Sequence, residues 1–261
     1  MRTQNFFLSK IRLLGALCLA SLSVLIAGCA ADDVFTSDKS VVEEAKSSAP
    51  LFNNSIDPNS IWDNVKTAWG LSDQMNCVPV VIYDDLMNPR NFETLGKSLW
   101  NTAVNVDRAK RIFNYDSRQD KKDKTAKNYA DLNALSLDLG NSKEDSDFSA
   151  VLYGVDQKTF SSLCKHYAHH GLVPVVVSKQ NNDTTVYSLG FMFSVTNPDL
   201  LTPQDVLPNR ERFLSIWNSI NSEDVTSLYG MQFPADYINT TFLADGESIN
   251  SLIPPLSSHN K

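Results

Sequence analysis

Histidine and aspartate are the side chains best placed by type and spacing to do chemistry in this sequence. Three of the four histidines fall in Cys164-Lys-His-Tyr-Ala-His-His-Gly171, with His166 and His170 four positions apart. On a helix that spacing turns two imidazoles to one side, as helical zinc sites require. Cys164 is the one other ligand type close by, and Tyr167 stands where a zincin would carry Glu. Imidazoles in a last turn before glycine also suit the helix dipole and its open carbonyls. His166 and His170 are therefore the candidates for a metal pair, while the expectation for the chain is no metal. Asp84 and Asp85 close the apolar run Val80 to Tyr83 and, with Glu93, have the residue types for acid and base in glycan cleavage.

Other catalytic patterns fail on spacing. Gly96-Lys97-Ser98 has the form of a phosphate-loop end, but Asn91 stands where the loop needs its first glycine. There is no Gly-x-Ser-x-Gly elbow, and the remaining histidine, His259, lies in the tail. The expectation is a protein that is not an enzyme and has no catalytic residues. Cys77 and Cys164 are the candidates for a disulfide, or else pack separately as small apolar groups. Trp62, Trp69 and Trp100 are candidate interface anchors, because large rings dominate binding hot spots; core burial is the alternative for each.

The elements that must position these groups are read from periodicity. Trp62, Val65 and Trp69 share a helical face between a Ser60 cap and a Gly70 stop, and Val78 to Tyr83 is a β-branched strand with Pro79 near its start. Phe92, Leu95, Leu99, Val106 and Phe113 predict a helix from about Asn91 to Phe113. Residues 114–147 are a polar, charged excursion. Beyond it the pattern predicts a strand from Phe148 to Val155, a helix from Gln157 to His170, and strands from Leu172 to Lys179 and Thr184 to Thr196. The turn-forming Gln180-Asn-Asn-Asp183 makes those last two a hairpin, and a helix from Pro203 to Asn221 follows. The fold class is α+β, with a mixed or antiparallel sheet and a C-terminal β-α-β-β-α block of split βαβ, ferredoxin-like order. Cys77-Val-Pro-Val-Val-Ile82 and Leu172-Val-Pro-Val-Val-Val177 echo one another and suggest two related α/β modules.

Organisation at the two ends completes the scheme. A basic start, Met1 to Arg12, precedes 14 uncharged residues, Leu13 to Ile26, too few to span a bilayer where about 20 are needed. Ile26-Ala27-Gly28-Cys29 follows and resembles the lipobox of bacterial lipoproteins. That resemblance implies a signal over residues 1–28, a diacylglycerol and N-acyl lipid on Cys29 as the one covalent group, and, with Ala30 next, delivery to the outer membrane facing the periplasm. Residues 29–59 then read as the lipidated cysteine and a flexible tether, 60–113 as a first α/β block, 148–221 as the second, and 222–261 as an extension ending in a Pro254-Pro255 tail.

Of the 23 basic residues, Arg2, Lys10 and Arg12 belong to the signal, leaving 20 against 30 acidic ones and a net charge of −10. That balance excludes a nucleic-acid partner, which needs clustered Lys and Arg. The anchor, tether and polar excursion are similar to those of accessory lipoproteins in Gram-negative envelope machines, including type IVB (Dot/Icm-like) secretion cores. The resemblance implies a structural or protein-binding subunit whose partners are other envelope proteins. The alternatives are an envelope enzyme acting on peptidoglycan or another glycan, and a small-molecule or lipid carrier. An enzyme should bring the named aspartates or histidines together with other polar side chains in one pocket; a scaffold should scatter them.

Overall fold

The computed structural model describes residues 31–49, 51–52, 58–68, 77–119, 129–137 and 147–253. Their strands are β1 (Val78–Ile82), β2 (Ser98–Asp107), β3 (Ala109–Tyr115), β4 (Asp131–Ser136), β5 (Asp147–Val155), β6 (Gly171–Asn181), β7 (Thr184–Ser194) and β8 (Thr241–Leu243). Their α-helices are α1 (Lys39–Ser48), α2 (Pro58–Ala68), α3 (Pro89–Phe92), α4 (Gln157–His166), α5 (Arg210–Ile220), α6 (Glu223–Tyr229) and α7 (Phe233–Asn239).

Five strands close into a barrel in the order β1-β5-β2-β6-β7. Closure comes from β7 lying parallel to β1, with Val80 beside Phe191 and Val81 beside Met192. Every other neighbouring pair in the barrel is antiparallel. Val78, Val80, Val81 and Ile82 are completely buried, so β1 carries an unbroken apolar run rather than alternation, as a strand covered on both faces must. Pro79 sits before the residues that pair with β7, at a position where its missing N–H is tolerated.

The α+β class and the β-α-β-β-α order hold. β2 lies between β5 and β6 and is antiparallel to both, so β5-α4-β6 is a split β-α-β unit, set in a closed barrel instead of an open ferredoxin-like sheet. The echoing segments become β1 and β6, two staves of the same barrel rather than two modules. β6 and β7 form the expected hairpin in unbroken register from Gly171–Ser194 to Asn181–Thr184, turning at Asn182 with φ 54°. Where β2 faces β5, Trp100 lies over Gly154 so closely that a Cβ there would fall inside the indole; glycine is what admits the ring.

The helix expected from Asn91 to Phe113 is not present. Only α3 at its start is helical, and β2 and β3 follow, turning at Arg108 with φ 53°. Ala109, Arg111, Phe113 and Tyr115 alternate inward with Lys110, Ile112 and Asn114, a period of two that overrides the coincidental helical spacing of Leu95, Leu99 and Val106. The polar excursion also contains structure: β4 pairs antiparallel with β3, β8 pairs parallel with β3, and the three make a second sheet. Asn133 Oδ1 in β4 accepts the Val195 N–H at 2.8 Å and ties that sheet to the end of β7.

The expected tether is in part a strap. Thr36 bridges to Tyr187 and Phe52 to Leu172, Lys39 pairs with Asp107 at 2.8 Å, and Val34, Phe35, Val42 and Phe52 join the barrel's core. The Pro254-Pro255 tail lies outside the described residues.

Candidate active site

At one end of the barrel, five segments converge on an open cleft of about 340 Å³. The chain leaving β1 delivers Asp84 and Asp85, β3 ends in Tyr115 followed by Ser117, and the entry to β4 brings Tyr129, Asp131 and Leu132. The end of α4 and the turn after it supply His166, Tyr167, Ala168 and His170, and the first turn of α5 supplies Arg212.

Each position has a local cause. Asp84 caps a 3-10 turn, accepting the Leu86 N–H at 3.0 Å, which turns the chain sharply off β1. The Asp85 carbonyl accepts Asn91 Nδ2 at 3.0 Å and the Ser219 hydroxyl at 3.1 Å, locking that turn to α5. Asn209 caps α5 by accepting the Arg212 N–H at 3.1 Å, which sets Arg212 in the first turn. A cation there opposes the helix dipole. It is offset by two carboxylates: Arg212 grips Asp85 with both terminal nitrogens, at 3.0 and 3.1 Å, and Asp131 through Nε at 3.2 Å. Tyr167 caps the C-terminus of α4, stacks on Phe193 with centroids 4.7 Å apart, and donates its hydroxyl to Asp84 Oδ2 at 2.8 Å.

These surroundings tune the groups. Burial, then the neighbouring Asp85 charge, raises the Asp84 carboxyl from its usual range to about 7; Arg212 and the bonds from Leu86 and Tyr167 pull the other way. Burial and the Asp84 charge push Tyr167 well above the ordinary phenol range, so it is a fixed donor. Burial and then the neighbouring His166 and His169 lower His170 to about 3, and burial also lowers His166. Both imidazoles facing the cleft are therefore neutral near pH 7. Burial disfavours the Arg212 cation, but Asp131 and Asp85 outweigh it and raise its pKa. The arrangement can move a proton at Asp84 near neutral pH, beside a cation that cannot lose its own.

The expected site residues fare differently. Asp84, Asp85, His166 and His170 are brought together, while Glu93 caps the end of α3 and does not line the cleft. α4 stops at His166, so His166 and His170 do not share a helical face, and among the described residues no cluster of three His, Cys, Asp or Glu is arranged for a metal. Gly96-Lys97-Ser98 follows α3, where the Lys97 carbonyl accepts the Thr159 hydroxyl at 3.1 Å. Cys77 and Cys164 are separate thiols rather than a disulfide, and burial raises Cys164 to about 11. Trp62 is core, packed on Phe160 with centroids 5.5 Å apart, and Trp100 is half-buried, packed over Gly154. Trp69 and Cys29 lie outside the described residues.

Tyr115, Tyr129, Asp131, Tyr167 and Arg212 were not foreseen as site residues. Arg212 carried a readable signal, a cap-like Asn209 three residues ahead of it. Asp131 carried one too, at the head of Leu132-Asn-Ala-Leu135 within an otherwise charged stretch.

No protein-family model matches the chain, and no curated protein matches it. Several solved structures are similar in fold. YkqA from Bacillus subtilis is 13% identical with a TM-score of 0.44, the match covering 65% of this chain and 56% of that one. The chain thus spans little more than half the length of YkqA. A γ-glutamyl cyclotransferase specific to glutathione, from yeast, is 11% identical with a TM-score of 0.44, over 62% of this chain and 97% of that one. Another γ-glutamyl cyclotransferase is 10% identical with a TM-score of 0.42, over 71% and 92%. The expectation of a non-enzymatic structural or protein-binding envelope subunit is corrected by the cleft itself, since Asp84, Asp85, His166 and His170, which a scaffold should scatter, line one pocket with Tyr167 and Arg212. At these identities and TM-scores the likeness says nothing of this chain's activity.

Proposed function

We propose that the chain is an enzyme whose cleft performs general acid–base chemistry on a small polar substrate, with Asp84 as the group that moves the proton. The observation that carries this reading is a buried carboxyl held near 7, fixed by Leu86 and Tyr167, and opening onto a cleft with other polar groups. A scaffold gains nothing from that arrangement, because keeping a carboxylate buried disfavours folding. In its ionised form Asp84 takes a proton from an attacking hydroxyl, amine or water. It returns the proton to the leaving atom as the substrate's bond breaks. Tyr167 holds Asp84 in one orientation, and Arg212 with its two carboxylates fixes the far wall.

We also place this enzyme at the outer membrane, facing the periplasm and held by lipid on Cys29; the support is the sequence from Leu13 to Cys29.

The test is a screen of purified protein against small amides, esters and γ-glutamyl peptides, followed by a pH profile on whichever class turns over. Turnover should rise through about pH 7 and fall by about 10²-fold or more in Asp84→Asn. An unchanged rate in Asp84→Asn, or no turnover of any class, overturns the assignment.

A further inference from the structure

Among the described residues the charges lining the cleft do not balance. Asp84, Asp85 and Asp131 face it, and Arg212 is the cation among its lining residues. Burial holds His170 neutral near pH 7 and lowers His166 as well. Arg212 occupies both oxygens of Asp85 but only Oδ1 of Asp131, which also accepts the Leu132 N–H at 2.8 Å. The other Asp131 oxygen receives the Tyr129 hydroxyl at a long 3.4 Å.

A further observation points to a ligand. Ser117 lines the cleft, is 6% exposed, and has the Tyr129 hydroxyl as its hydrogen-bonding neighbour. Nδ1 of His170, which also lines the cleft, is buried and has no hydrogen-bond partner among the described residues. Buried polar atoms are nearly always satisfied, so such an atom beside an open cleft is poised for a guest. Tyr115 and Tyr129 also line the cleft, and tyrosine rings have the electron-rich faces that ammonium groups favour.

We propose that the cleft recognises a small molecule bearing an ammonium group, with the cation directed to Asp131 and Asp84 and a polar atom of the same molecule meeting His170. The inference deepens the enzymatic reading by naming the charge class of its substrate. Anionic molecules of similar size are excluded by the same carboxylates.

The test needs no turnover. Benzylammonium, benzyl alcohol and benzoate have similar shapes and differ in charge, and each is titrated into the purified protein at pH 7.5 by calorimetry. Signals of the His170 and tyrosine rings, followed by NMR, locate the site. Benzylammonium should bind at least about tenfold tighter than the alcohol, benzoate should not bind, and added salt should narrow the gap. Asp131→Asn should bring the ammonium probe down to the alcohol's affinity. Equal affinity for ammonium and alcohol, tighter binding of benzoate, or ring signals that do not move overturns the inference. That ranking in the unaltered protein decides the matter even if Asp131→Asn fails to fold. Activity that depends on Asp84 without ammonium preference sinks this inference alone, and ammonium preference with an active Asp84→Asn sinks the enzymatic reading alone.

Discussion

Asp84→Asn is expected to stabilise the protein at pH 8 and to do almost nothing at pH 4. The native carboxyl is raised from 3.8 to about 7, so between those values the folded state holds a proton that the unfolded chain has released. Unfolding stability therefore falls as pH rises through that window, and the loss is complete above the native value. At 1.36 kcal/mol per unit, a shift of roughly three units corresponds to about 4 kcal/mol at pH 8 and to well under 1 kcal/mol at pH 4. Asparagine can still accept the Leu86 N–H, but its Nδ2 cannot accept the Tyr167 hydroxyl, a loss of about 1 kcal/mol that applies at every pH. The net expectation is a gain of about 3 kcal/mol at pH 8 that vanishes or reverses toward pH 4. His170, lowered to about 3, acts in the opposite sense: as pH falls below about 6.5 the unfolded state takes up a proton the native state refuses, and stability drops. The total curve mixes both slopes, but the difference between wild type and Asp84→Asn cancels His170. Urea unfolding of both proteins at pH 4, 5.5, 7 and 8 measures that difference. A gap independent of pH would refute the claim that Asp84 is a buried carboxyl of raised pKa.

Arg212→Gln is expected to move the Asp84 midpoint further upward, because it removes the cation that favours ionised Asp84 and leaves Asp85 and Asp131 uncompensated; carboxyl NMR titration reads the shift, and a fall would contradict it. Arg111 is completely buried, donating to the carbonyls of Ser149 and Tyr237 and to Thr241 and Thr240, with its guanidinium 3.9 Å above the Tyr237 ring. Arg111→Met leaves those buried acceptors unfilled and should destabilise by about 3 kcal/mol or more in urea, and Arg111→Lys should recover little, since an ammonium cannot reproduce the planar fork.

The second half of the barrel was legible because its signals are local. Gln180-Asn-Asn-Asp183 turns a hairpin by its own side-chain chemistry, and Asp156 caps α4 by accepting the Thr159 N–H at 2.7 Å whatever surrounds it. In the first half two periods compete. Leu95, Leu99 and Val106 fall on a helical stripe, yet Leu99 is 51% exposed in the structure, so the stripe does not describe burial. Arg111 hid the strand's true pattern, since a charged residue at an inward position breaks the alternation that would have revealed β3. Its burial is possible only because the α7–β8 segment, more than 100 residues later, supplies acceptors, and that is tertiary information.

The cleft has the same logic. Asp84 and Asp85 stand side by side in the sequence, but what separates their roles comes from elsewhere. Arg212, reached across the chain and fixed by the Asn209 cap, takes Asp85 as an ion pair, while Tyr167 at the end of α4 takes Asp84 as a hydrogen-bond acceptor. Adjacent carboxyls of one residue type thereby acquire different work: one is spent on the wall of the site, and the other is left near 7, where a proton can be both accepted and returned.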